Sequence, residues 1–256
     1  MRTEILGIPV DGITENEASA LIFDRINGRS PDAPPYCVVT PNPLMIMESR
    51  KNSALRNGLL LADLSLPDGN GLVSAAKRAG TPLPGRTTGI GTAEKVIEKL
   101  AETKGSVYIL GALPGRADEA AGRLAARFPG LVIAGTRDGY FDAAAEKAAA
   151  AEISRAHPDL LCVCMGGARQ TSFVFDNLKT LSGVGCAMGL GGSADVWSGK
   201  IRRAPRFFIK IRAEWLWRML AEPRRFSGLG KLIAFRILTR RRLFGRKKRE
   251  NTGAKQ

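Results

Sequence analysis

Several residue patterns that would point to particular chemistries are missing from this sequence. It has one histidine, His157, and four cysteines without a C-x-x-C spacing, so a Cys/His zinc site is not expected. The cysteines lie in apolar surroundings, as free thiols of a reducing compartment do, and this predicts a cytoplasmic protein. There is also no Asp-x-Asp, the pair that holds a metal against a diphosphate in many enzymes. If a diphosphate binds here, arginines must offset its charge.

Long apolar segments are missing as well. No run approaches the roughly 18 apolar residues that a membrane-spanning helix needs, and the N-terminus MRTEILGIPVDG has no apolar core of a signal peptide. The 256 residues are 44% hydrophobic and 25% charged, a composition that excludes a largely disordered or fibrous chain. The sequence therefore predicts a globular protein with one large domain and room for an appendage.

Positive charge is concentrated at the C-terminal end. The formal net charge is +15, yet residues 1–199 have a net charge of −1, and Lys200–Gln256 contain 19 basic and 3 acidic residues. Trp, Phe and Leu recur among these cations at helical spacing, which favours an anionic membrane surface over nucleic acid as the partner. The alternative for the first aromatic stretch is that it packs on the body. We expect a body at 1–199 and a basic, amphipathic helical appendage at 200–256.

Residues 1–199 alternate between strand-like and helix-like segments. The apolar runs predict strands at Tyr36–Val39, Leu59–Leu64, Ser106–Leu110, Leu131–Gly135, Leu160–Met165 and Val184–Leu190. Ala-rich segments between them predict helices at Ala93–Lys104, Arg116–Phe128 and Ala143–Ala156. This alternation is typical of an α/β, Rossmann-like fold in which helices flank a mainly parallel sheet. Ligands of such sheets bind at the carboxyl ends of the strands.

Two polar motifs follow predicted strands. Thr40-Pro41-Asn42-Pro43 ends the first strand and could turn the Thr and Asn side chains toward a ligand; a plain turn is the alternative. Pro67-Asp68-Gly69 presents a carboxylate that could serve as a general base. An Asx turn or a helix N-cap is the commoner role of such an aspartate, and residue chemistry alone favours it.

Three glycine-containing segments could approach a ligand. Gly80–Thr87 resembles a P-loop, but its prolines remove the N–H groups that such a loop needs, so only Arg86 is kept as an anion ligand. Gly189–Ala194 matches a dinucleotide fingerprint poorly, because it lies late in the chain, but suits a diphosphate-binding turn. Gly139-Tyr140-Phe141 could form a ligand wall. His157 is interpreted as a solvated helix-end residue.

Taken in order, these segments resemble the WecG/TagA/CpsF family of bacterial glycosyltransferases. The likeness extends from about Thr40 to Phe226 and is carried by VVTPNPLMIM, LSLPDGNGLV, GRTTGIG, VYILGALPGRADEAAGRL, FPGLVIAGTRDGYF, PDLLCVCMGGARQ, GLGGSADVWSGKIRRAPRF and AEWLWRMLAEPRRF.

The resemblance implies an inverting transfer of N-acetylmannosamine, or a related sugar, from a UDP donor to polyprenyl-diphosphate-linked N-acetylglucosamine, in wall teichoic acid or other surface-glycan synthesis. It implies no cofactor and no catalytic metal, and a location on the inner face of the cell membrane. Asp68 would be the general base. The residues expected to bind substrate are Thr40, Asn42, Arg86, Tyr140, Gln170, Gly189, Gly191, Gly192, Asp195 and the appendage arginines Arg218 and Arg225.

The sequence departs from the family pattern at three positions. Ala168 and Thr171 replace the proline and glutamate of the family's G-x-P-x-Q-E motif, and Gly228 stands where an appendage arginine is expected. An inactive member acting as a membrane scaffold is therefore one alternative function. A nucleic-acid-binding protein that uses the basic tail is another. The preferred interpretation predicts no nucleic-acid partner. A homo-oligomer is possible on either view.

Overall fold

The computed structural model describes residues 1–201 and 228–240. Its centre is a six-stranded sheet in the order β4-β3-β8-β7-β5-β6, and every neighbouring pair is parallel. Two further strands form an antiparallel N-terminal hairpin. The strands are β1 (Arg2–Ile5), β2 (Ile8–Asp11), β3 (Tyr36–Val39), β4 (Leu64–Ser65), β5 (Ser106–Gly111), β6 (Val132–Arg137), β7 (Leu160–Cys164) and β8 (Cys186–Gly189).

Helices connect the strands and cover the sheet. They are α1 (Glu15–Asn27), α2 (Pro43–Ser49), α3 (Ser53–Leu61), α4 (Asn70–Arg78), α5 (Gly89–Glu102), α6 (Arg116–Arg127), α7 (Ala143–Ala156), α8 (Gly167–Asp176), α9 (Ser193–Trp197) and α10 (residues 229–240). The apolar sides of α1, α5, α6 and α9 pack together with one set of strand side chains. Those of α7 and α8 pack with the alternate set, so the sheet lies between two helical layers.

The predicted α/β architecture is confirmed. The strand predicted at Tyr36–Val39 and the helix predicted at Ala143–Ala156 have the predicted bounds. His157 ends α7 as an exposed residue in the left-handed region, at φ 42°. The other matching elements differ at their ends by a few residues, which is the usual uncertainty of boundaries placed from sequence.

The strand predicted at Leu59–Leu64 is wrong. The chain is helical through Leu61, and only Leu64–Ser65 pair with β3. Asn52 caps the helix by accepting a hydrogen bond from Leu55 N. Leu55 and Leu59 are then four residues apart on one buried face. The leucine run was therefore the end of an amphipathic helix.

The sequence interpretation assigned no structure to residues 1–27, which form the β1–β2 hairpin and α1. Leu6 and Gly7 make the tight turn of the hairpin with φ of 52° and 84°. Helix α1 begins at a capping box, in which the Thr14 hydroxyl accepts from Glu17 N and the Glu17 carboxylate accepts from Thr14 N. The T-x-x-E pattern was a readable signal for this helix.

Helix α10, the part of the basic appendage that the structure describes, packs on the body. Phe235 is buried in a cluster with residues of the hairpin, α2, α3 and α4, among them Met45 and Leu72. Whether 1–199 and 200–256 are separate domains stays a prediction. Over the described ranges, no helix has the length and apolarity that crossing a membrane would require.

The four thiols are expected to be unreactive in the folded protein. Burial raises the pKa of Cys37 and of Cys164 to about 12, and raises the pKa values of Cys162 and Cys186 as well. Because only the thiolate reacts, its fraction at pH 8 is lower than in a free cysteine by more than about 1,000-fold. A chromogenic disulfide reagent should titrate no thiol in the native protein within minutes, and four in denaturant.

Glutathione at the same pH serves as the reactive control for that titration. A native thiol that reacts as fast as glutathione would contradict the burial of these residues in the sheet.

Candidate active site

The polar motifs of the sequence converge at the carboxyl edge of the sheet. Since all six strands are parallel, the loops that follow them lie along this edge in the order of the strands. Strands are spaced by about 4.8 Å, so the loops after β4 and β6 lie roughly 24 Å apart. From one end of the edge to the other, the loops carry Asp68, Thr40 with Asn42, the Gly189–Gly192 turn, Gln170, Arg116 and Tyr140.

Asp68 and Arg86 form an ion pair at the β4 end of this edge. Arg86 donates to Asp68 Oδ1 from Nη2 at 3.0 Å and from Nε at 3.2 Å. The two side chains are 25% and 19% exposed, so the pair is partly shielded from water yet open to a ligand. Within residues 1–201 and 228–240, Oδ2 of Asp68 accepts no hydrogen bond.

Backbone hydrogen bonds fix the loop that carries Asp68. Asp68 N donates to Pro41 O in the loop after β3, at 3.1 Å. Thr87 N donates to Pro67 O at 3.2 Å and ties the segment containing Arg86 to the same loop. Gly69 has φ 137°, which residues with a side chain rarely adopt, and the chain then enters α4. The two charged residues, 18 positions apart in sequence, are thus held together by main-chain contacts.

Thr40 and Gln170 hold the glycine turn after β8 from its two sides. The Thr40 hydroxyl donates to Gly189 O at 2.7 Å, and Gln170 Oε1 accepts from Gly191 N at 2.8 Å. Both side chains are buried, Gln170 being only 2% exposed. The structure therefore brings these predicted substrate ligands to the site, but uses them to fix the backbone of the turn.

Asn42 also makes a backbone contact. Its Oδ1 accepts from Leu44 N at 3.0 Å and from Met45 N at 3.1 Å, which makes it the N-cap of α2. Pro43 occupies the first position of that helix, where its missing N–H costs no hydrogen bond. Asn42 lies beside Thr40 at the edge, but its amide oxygen is occupied by the hydrogen bonds of this helix cap.

Asp195 follows the glycine turn and forms an ion pair with Arg116. Arg116 begins α6 immediately after Gly115, a residue with φ 77° in the loop that follows β5. The pair therefore joins the loops of β8 and β5 at the edge. Arg116 was not among the predicted site residues. Its position directly after a Pro-Gly turn at a strand end was the signal available in the sequence.

Tyr140 lies at the far end of the edge, after β6. Its side chain is 66% exposed, and its backbone N donates to Asp138 Oδ1 at 2.8 Å in a tight turn. Next to it, the Arg169 guanidinium lies 4.9 Å from the centre of the Phe141 ring and donates to Phe141 O. An exposed aromatic ring beside this ordered pair suits a planar ligand group.

Two of the three positions that depart from the family pattern make close packing contacts. Thr171 is buried, its hydroxyl donates to Gly167 O, and its methyl group lies directly against Gly58 of α3. A Cβ at position 58 would also lie 2.8 Å from Phe175 Cδ2, so α3 and α8 pack closely here. At Gly228, a Cβ would lie 3.2 Å from Leu44 of α2.

The remaining expected ligands, Arg218 and Arg225, lie outside the described residues. Within the described part of the chain, no group of three or more His, Cys, Asp and Glu side chains is arranged to hold a metal ion. The independence of the reaction from metal stays a prediction.

Known proteins are similar to this chain in sequence. The family model described as glycosyl transferase WecG/TagA/CpsF family matches residues 3–249. A protein of Bacillus spizizenii named N-acetylglucosaminyldiphosphoundecaprenol N-acetyl-beta-D-mannosaminyltransferase is 36% identical over 189 residues, which are 74% of this chain and 72% of that protein.

Two further proteins with the same name are similar to this chain. The one from Bacillus subtilis is 29% identical over 74% of this chain and 73% of its own length. The one from Staphylococcus aureus is 27% identical over 91% of this chain and 90% of its own length. The family match covers almost the whole sequence, including every loop of the carboxyl edge, and this chain belongs to the WecG/TagA/CpsF family of glycosyl transferases.

Proposed function

We propose that the protein transfers N-acetylmannosamine, or a related sugar, from a UDP donor to N-acetylglucosamine linked to a polyprenyl diphosphate. The names of three relatives support the acceptor and the sugar. The observation that carries the proposal is the partly exposed Asp68–Arg86 pair, which lies at the edge where α/β sheets bind ligands. The product would serve wall teichoic acid or another surface glycan.

Asp68 acts as the general base in this proposal. Its Oδ2 accepts the proton of the acceptor hydroxyl while that oxygen bonds to the anomeric carbon of the donor. The bond from this carbon to the diphosphate breaks on the opposite face, so UDP leaves and the configuration inverts. Arg86 orients Asp68 through two hydrogen bonds to Oδ1, and Oδ2 is the oxygen that faces the acceptor in this proposal.

The donor binds along the glycine turn and toward Tyr140. Gly191 has φ 57° and no side chain, so a diphosphate can approach its backbone closely. Arg116 and the appendage arginines Arg218 and Arg225 supply the positive charge that the departing diphosphate needs, without a metal ion or cofactor. Tyr140 provides a flat surface for the nucleotide base at the far end of the edge.

The basic appendage attaches the enzyme to the inner face of the membrane, where its lipid-linked acceptor lies. This part of the proposal rests on the net charge of +16 in Lys200–Gln256 and on the exposed apolar residues of α10. Each cation near an anionic leaflet contributes about 1 kcal/mol, so this cluster suffices for peripheral binding.

Replacement of Asp68 tests the reaction. Asp68→Asn should retain the fold and UDP binding, and should lower kcat by about 10²–10⁴-fold, because the amide cannot accept the proton. The measurement is UDP release and product mass with a short-chain lipid-diphosphate-GlcNAc and UDP-ManNAc.

Asp24→Asn is the control, since Asp24 is an exposed carboxylate near the end of α1, away from the carboxyl edge. Full turnover of Asp68→Asn would remove Asp68 from the role of base. A wild type that binds UDP but transfers no sugar from any UDP donor would identify the inactive scaffold instead.

Gln170 is expected to govern donor affinity through the glycine turn. Gln170→Met keeps a side chain of similar length but leaves Gly191 N without its acceptor. Such an unpaired group costs about 1–3 kcal/mol. In the free variant the turn relaxes so that water pairs with Gly191 N, and UDP binding must order the turn again. The dissociation constant of UDP should therefore rise, by up to about 150-fold in calorimetry, with a much smaller change in kcat at saturating donor.

Ser172→Ala is the matched control on α8, because Ser172 makes no side-chain hydrogen bond within the described residues. Unchanged UDP affinity in a folded Gln170→Met variant would show that the turn keeps its shape without this contact.

Truncation after Arg240 tests membrane attachment. It removes seven basic residues and one acidic residue but keeps α10 and its packed Phe235. Binding to vesicles that contain phosphatidylglycerol should fall at least about 100-fold in sedimentation assays, since several cations are lost. Phosphatidylcholine vesicles and the melting temperature are the controls. Equal binding by both chains would place the membrane contact elsewhere.

A further inference from the structure

Three arginines lie together where α4 meets α10. Arg78, the last residue of α4, donates from Nη2 to the hydroxyl of Thr239 at 3.2 Å. Arg236 and Arg240 lie three positions before and one position after Thr239, on the neighbouring surface of α10. Thr239 is buried at the contact between the helices, so this hydrogen bond brings a body arginine to two appendage arginines.

Carboxylates of the described residues do not offset the positive charge of this cluster. Over the described ranges, none of the three guanidinium groups forms an ion pair with a carboxylate. Arg78 Nε is buried and has no hydrogen-bond partner there. Burial, and then the nearby Arg240 and Arg236, lower the pKa of Arg78. Both effects disfavour the charged form, and a bound anion would relieve them.

An exposed apolar stripe borders the cluster. Leu229, Ile233 and Ile237 are 40%, 55% and 47% exposed, and their spacing of four residues places them on one side of α10. Phe235 anchors a different side of the helix in the body. At 100° per residue, with Phe235 taken as 0°, the stripe spans about 120–200°, and Arg236 and Arg240 lie at about 100° and 140°. The two arginines therefore lie beside and among the apolar residues on the exposed side of one helix.

We propose that Arg78, Arg236 and Arg240 bind the phosphate of an anionic phospholipid headgroup, while Leu229, Ile233 and Ile237 enter the outer acyl region. Guanidinium groups bind phosphate oxygens through pairs of N–H groups, which suits three converging arginines. A phosphate free in solution would leave the adjacent apolar stripe in water, so a lipid is the occupant that satisfies both features.

This inference rests on the membrane attachment proposed above and adds a discrete site that includes a residue of the body. Helix α4 begins at Asn70, two residues after Asp68, and ends at Arg78 about 12 Å away. A headgroup held at Arg78 would thus lie at one end of a helix whose other end borders the candidate base.

The test compares two cations of α4 in the full-length chain. Arg78→Gln should weaken binding to vesicles of phosphatidylglycerol in phosphatidylcholine by about five-fold or more, because a guanidinium contact is lost. Lys77→Gln removes the same charge from an exposed neighbour outside the cluster and should change binding less than about two-fold. Equal losses would mean diffuse attraction and would overturn the site.

Thr239→Val separates lipid binding from the packing of α10. It removes the hydroxyl that contacts Arg78 but keeps all three cations, and it should bind vesicles like the wild type. A loss equal to that of Arg78→Gln would mean that Arg78 acts only by holding α10 and would overturn the proposal. Melting temperatures of the variants monitor folding, and Arg78→Lys, which keeps the charge without the planar fork, should bind with intermediate affinity.

Inorganic phosphate distinguishes the source of the anion. Binding of phosphate that depends on Arg78, together with equal vesicle binding by wild type and Arg78→Gln, would identify a soluble anion and overturn the lipid assignment. A wild type that binds anionic vesicles no better than phosphatidylcholine vesicles would reject both this site and membrane attachment. The transferase activity is tested separately, by measuring sugar transfer to a water-soluble acceptor in the absence of vesicles.

Discussion

All six strands of the central sheet run parallel, so every loop that leaves a strand at its carboxyl end lies along the same edge. The candidate site depends on this alignment, because its residues come from loops that are far apart in sequence. Asp68 and Tyr140 mark the two ends of the edge, and the glycine turn after β8 lies between them. A ligand that spans the edge would therefore meet Asp68, the turn and the aromatic ring in spatial order.

Preorganisation is the second feature of this edge. Thr40 and Gln170 are buried, and their polar atoms form hydrogen bonds with the backbone of Gly189 and Gly191. A turn held from both sides needs little rearrangement when a diphosphate binds, so less of the binding energy is lost in ordering it. Residues expected to touch substrate can thus matter to donor binding through the backbone they hold.

The periodicity of the sequence was sufficient to predict the sheet and the long helices. Their apolar faces repeat over many residues, as at Ala143–Ala156. It failed at Leu59–Leu64, where a short leucine run fits a buried strand and a helix end equally well. Asp68 and Arg86 could be named from motifs, but their pairing depends on contacts between loops. The buried role of Gln170 likewise depends on how closely α8 approaches β8.

The Asp68–Arg86 pair brings a carboxylate and a guanidinium together at one end of the carboxyl edge. A bound diphosphate adds negative charge to the same edge and competes for Arg86, because guanidinium groups bind carboxylate and phosphate in the same geometry. The position of Arg86, and with it the orientation of Asp68, would therefore depend on whether a donor is bound.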